Sequence, residues 1–186
     1  MNAGRLIARA AIGGLFIGHG TQKLFGWFGG PGMQGTAQMM DGLELRPGRR
    51  HALAASLAET VGGAMLALGA LTPLAAALLN GSMFTAIRKV HLEKGVWNTA
   101  GGYEYNLVLI AALTALVDGG PGRPSVDHRL GLHDTGSLWA LAALGAGAAG
   151  SALAIEAGRR FEPQPEGEPR RRFERETEQV PAGATA

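Results

Sequence analysis

The sequence contains no cysteine. Disulfides, thiol redox catalysis, cysteine-ligated iron–sulfur clusters and cysteine-ligated zinc are therefore excluded. Charge is scarce and nearly balanced, with Lys+Arg 17 against Asp+Glu 15 in 186 residues. A net charge of +2, with no aromatic residues interleaved among basic ones, argues against a nucleic-acid partner. The sequence has no phosphate-binding glycine loop, no convincing Ser–His–Asp arrangement and no His/Asp/Glu spacing that marks a metal site.

Apolar blocks rich in Ala, Gly and Leu fill most of the chain. The mean hydropathy of +0.09 would suit a soluble protein. That average misleads, because a polar C-terminal tail dilutes the blocks. About twenty apolar residues cross a bilayer. By that measure residues 6–27, 51–71, 73–90, 104–117 and 137–155 read as spanning helices. The last is Ala/Gly-rich, with Asp134 or Thr135 as N-cap. Arg5 and Arg9 suggest the basic start of a signal peptide. However, Gly, His, Gln and Lys interrupt the apolar core behind them, so the segment reads as an uncleaved first membrane helix.

The expected fold is an all-α membrane protein: a four-helix transmembrane bundle over 1–135, a further transmembrane helix at 136–155 and a disordered cytoplasmic tail at 156–186. Gly14 and Gly18 form a small-xxx-small pair suited to close helix packing. Residues 35–43 form a short helix in the first loop, with Ala37 and Met40 on one side. Leu71-Thr72-Pro73 joins two antiparallel spans, with Pro73 near the first helical position. Trp27, Phe28, Trp97, Tyr103 and Tyr105 suit the membrane interface. Loop lysines and arginines concentrate on the side of Arg46, Arg49, Arg50 and Arg88. That bias places the N-terminus outside and the C-terminus in the cytoplasm of a cell (inner) membrane.

The chemistry sits in the spans. His19 lies about 12 Å from the interface marked by Trp27, and Glu59 about 14 Å from the same interface marked by Arg50. His19, Gln22 and Lys23 from the first span, Glu59 from the second, Arg88 and His91 from the third, and Glu104 and Asn106 from the fourth then share one half of the membrane. Ionisable groups in a span are expensive and usually face a protein interior or a wet cavity. The expectation is a polar pocket among four helices, with Glu59 paired to Lys23, to Arg88 or to protonated His19. The alternative is a buried ion-pair network that fixes helix register. Lys89, Glu93 and Lys94 read as solvated loop charges. His19 and His91 could ligate a haem, but no confirming motif accompanies them and that reading is set aside.

The segments GHGTQKLFGWFGGPG with the following GTA at residues 35–37, Glu59 within the second span, HLEKGVWNTAGGYEYN and GPGRPSVD occur in that order. Together, over residues 5–130, they resemble the DoxX family of small bacterial membrane proteins. The resemblance implies a four-helix membrane core. It also implies a link to membrane redox complexes and oxidative-stress resistance, the family being named for a subunit associated with thiosulfate:quinone oxidoreductase. The leading expectation is an accessory subunit of a quinone-linked redox system, with a quinone as ligand and a membrane or soluble redox protein as partner. A small-solute transporter and a membrane scaffold for a soluble oxidoreductase stay open, as do enzymatic activity and a homo-oligomer.

Overall fold

The computed structural model describes residues 2–161. Seven α-helices account for its architecture: α1 (Ala3–Phe25), α2 (Gly32–Gly42), α3 (Gly48–Leu68), α4 (Thr72–Ala86), α5 (Glu104–Gly119), α6 (Val126–Leu130) and α7 (Ser137–Arg159). Among the described residues there is no strand. The expected tail from residue 162 on, with its Arg170–Arg172 run, lies outside the described residues. α7 runs past the expected boundary at Ile155, and Arg160 Nε donates to Glu156 Oε1 at 2.8 Å across its last turn.

α3 and α7 are each long and apolar enough to cross a membrane. At 1.5 Å per residue, α1 and α7 reach about 34 Å, enough for a hydrocarbon core of about 30 Å. α4 is extended by a π-helical turn, Ile87–His91. The apolar core lies between α4, α5 and α7, where Leu79, Leu113 and Val117 are fully buried. α1 packs along α3, and α7 packs against α4 and α5. The short α2 packs against α3 and α1, anchored by Met40, while Met39 is exposed.

The α1–α3 contact uses different glycines from those the sequence suggested. A Cβ on Gly13 would stand 2.5 Å from the Gly63 carbonyl oxygen, and one on Gly20 would stand 2.7 Å from that of Ser56. Gly14 and Gly18 meet nothing within 4 Å. Positions 13 and 20 are two turns apart on one stripe, and positions 14 and 18 lie on a neighbouring, outward stripe.

Two remote aspartates cap helix starts. Asp41 Oδ1 accepts the Gly48 N–H at 2.6 Å at the start of α3. Asp127 accepts from the Leu71 N–H at 2.6 Å, the Thr72 N–H at 3.0 Å and the Thr72 hydroxyl at 2.6 Å, so α4 is capped from α6. α7 starts on Gly136 with no side-chain cap, so neither Asp134 nor Thr135 has the expected capping role. Arg9 is another departure. Read from the sequence as part of a basic N-terminal start, it is instead 1% exposed, with Nη2 donating to the Pro124 carbonyl at 2.5 Å.

Candidate functional site

Glu59 belongs to the buried face of α3 and is 3% exposed. A carboxylate there needs partners, because an unpaired charge in a low-dielectric interior is strongly disfavoured. Both Glu59 oxygens take hydrogen bonds from Lys23 Nζ, so the ion pair joins α1 to α3. Ser82 on α4 donates to Glu59 Oε1 at 2.7 Å. Of the three expected partners, Lys23 is the one that meets Glu59.

Above the pair lies a cavity of about 250 Å³. Leu15, Phe16, His19 and Lys23 reach it from α1, Glu59 from α3, and Met83 and Ala86 from α4. His91 reaches it from the π turn, Asn98 and Gly102 from the following loop, and Tyr105, Asn106 and Leu109 from α5. His19, Lys23, Glu59, His91 and Asn106, drawn from separate elements, thus meet at one level. His19 stands at the outer edge and is itself exposed.

The other sequence candidates lie elsewhere. Gln22 Nε2 donates to the Phe28 carbonyl at 3.5 Å, at the end of its own helix. Glu104 Oε2 accepts the Asn98 N–H at 3.0 Å and so braces the loop over the cavity from outside. Arg88 is exposed. In a straight α-helix Arg88 and His91 would share a face. The π turn bonds each N–H to the carbonyl five residues back, which carries His91 over Ala86 into the cavity and leaves Arg88 outside. Lys89 corrects a further expectation: it pairs with Glu44 at 3.3 Å, and its side chain is only 13% exposed.

His91 Nδ1 lies 2.7 Å from the Gly101 carbonyl oxygen. A carbonyl only accepts, so Nδ1 carries a proton toward Gly101, and in that tautomer of the imidazole Nε2 is the free acceptor. Asn106 donates from Nδ2 to the Met83 sulfur at 3.4 Å. The cavity thus combines a cationic donor, an imidazole acceptor and an amide with walls of Leu15, Phe16, Met83 and Leu109. Among the described residues no group of three His, Cys, Asp or Glu is placed to hold a metal ion. Ser82 was not singled out from the sequence; as a lone serine in an apolar helix it gave no local signal.

Long apolar helices around an internal ion pair define an all-α membrane protein. Residues 4–92 match the DoxX family. The match ends at the π turn, before the loop and α5 that complete the cavity. Comparison with curated proteins finds no match, and comparison with solved structures finds none either.

Proposed function

We propose that the cavity binds a quinone ring and that the chain serves as an accessory subunit of a quinone-linked redox system in the cell membrane. The observation that carries this reading is the cavity's make-up: apolar walls over a floor formed by the Lys23–Glu59 pair. A ring that is apolar on both faces and bears oxygens at its edge complements such a site. Lys23 and His19 donate to one ring oxygen. Glu59 holds Lys23 in place and is the nearest carboxylate to a proton exchanged there. His91 Nε2 receives a ring hydroxyl. The electrons come from a partner subunit, since the sequence has no thiol for that chemistry.

The experiment is a titration of the purified protein with a quinone analogue. His19→Ala and Glu59→Gln are expected to weaken binding by about tenfold or more, the value of one lost polar contact. Unchanged binding in both variants overturns the site. The loop charges support an N-terminus outside and a C-terminus in the cytoplasm. Protease accessibility of tags at the two ends tests that orientation.

A further inference from the structure

We infer that the ligand of this cavity arrives sideways from the bilayer, through a gap between α1 and α5, and that the site therefore selects a polar ring carrying an apolar tail. The ring's identity rests on the reading above, whereas the route stands on the packing of the helices.

α1 packs along α3, and α5 packs against α4 and α7, but α1 and α5 scarcely touch. The bundle is therefore open along one side. The residues that edge this opening are exposed: Leu15 at 53% on α1, Tyr105 at 47% on α5, and His19 between them. A histidine facing acyl chains in a span is unfavourable unless a polar group lies against it. A ring oxygen held between His19 and Lys23 supplies that group.

The water-facing end is constructed differently. The loop above the cavity is cross-braced, with the Tyr103 N–H on the Gly95 carbonyl at 3.1 Å and the Glu104 N–H on the Val96 carbonyl at 2.8 Å. Asn98 and Gly102 of that loop line the cavity on that side. Size points the same way. About 250 Å³ falls below the roughly 300–1,000 Å³ of pockets that enclose a whole drug-sized molecule. The ring fits inside, and a tail must trail out through the gap into the lipid.

Because the chain has no cysteine, a single introduced thiol reports access cleanly. The protein carrying Ala86→Cys, with Leu109→Cys as a second probe position, is placed in lipid nanodiscs. It is treated with a bilayer-soluble pyrene maleimide or with a charged, water-soluble maleimide. Lateral access predicts labelling about tenfold faster with the apolar reagent, and a marked slowing of that reagent alone when Leu15→Trp narrows the gap. The same Trp placed at Leu57, exposed on α3 away from the gap, leaves both rates unchanged. Faster labelling by the charged reagent places the opening toward water and overturns the proposal. So does a thiol that reacts with neither reagent until the protein is denatured, since the cavity is then sealed, for example by a second copy over the gap. Quinone titration is scored separately. A tailed ring that binds where its tail-less counterpart does not supports the selection, and absence of any quinone binding removes the ring assignment while the labelling still decides the route.

Discussion

Ser82 and Glu59 are joined across α4 and α3 by a 2.7 Å hydrogen bond to the same carboxylate that pairs with Lys23. One side chain therefore ties three helices together. A carboxylate offers about four acceptor positions, and here Lys23 and Ser82 take them from two directions. The arrangement fixes the level of α1 against α3 and α4, whatever ligand lies above it.

The first prediction concerns this pair. Lys23→Met removes the cation that pairs with the buried Glu59, at a cost of about 3–5 kcal/mol. Removing both charges, in Lys23→Met with Glu59→Gln, recovers most of that loss. Thermal unfolding in lipid nanodiscs measures both. A double variant no more stable than Lys23→Met alone would show that the two residues are not coupled.

The second prediction concerns the opposite end of the bundle. Asp127 accepts three hydrogen bonds at the start of α4. Asp127→Ala strands two backbone N–H groups and a hydroxyl, and is expected to cost about 2–3 kcal/mol. Thr72→Ala removes the hydroxyl alone and should cost about 1 kcal/mol. Neither residue touches the cavity, so ligand affinity at a temperature where the protein is folded should stay unchanged. A loss of affinity in either variant would mean that the two ends are coupled.

The sequence made the helices and their order legible because apolar length and turn residues act locally. It also placed His19 and Glu59 at one level, since helical rise turns residue numbers into depth. Side-chain partnership was not legible in the same way. Three cations stood near enough in sequence terms to pair with Glu59, and only the packed arrangement of the helices selects Lys23. Arg88 and His91 are both expected at the pocket from the third span, but a π turn, which carries no reliable local signal, brings only His91 to the cavity. Arg9 read as part of a basic start, although the loop carrying Pro124 folds back to receive it.

The third prediction separates neighbouring glycines. Gly13→Ala drives a methyl group against the Gly63 carbonyl oxygen, 2.5 Å away, and the Ala67 Cβ, 2.9 Å away. Both neighbours belong to a packed helix, so α1 must lift from α3, with a cost of about 1–3 kcal/mol. Gly14→Ala enters open space and gains helix propensity, so it should be neutral or stabilising by up to about 1 kcal/mol. Comparing the two melting temperatures checks which stripe of α1 makes the contact. Equal destabilisation would mean that α1 is rotated from the position described.

The fourth prediction sets His91 against Arg88. They stand three residues apart and would act together on a regular helix. The π turn instead sends His91 into the cavity and Arg88 outward. His91→Phe keeps an aromatic ring of similar bulk but removes the acceptor nitrogen, so binding of a reduced, hydroxyl-bearing ring should weaken by about tenfold. The oxidised ring has no hydroxyl proton to give and should be affected less. Arg88→Ala should shift either affinity by less than about twofold, because its guanidinium is exposed. The difference between reduced and oxidised ligands distinguishes an acceptor role for His91 from a merely space-filling one. Dependence on Arg88 but not His91 would place the cavity's polar contacts on the other face of this turn.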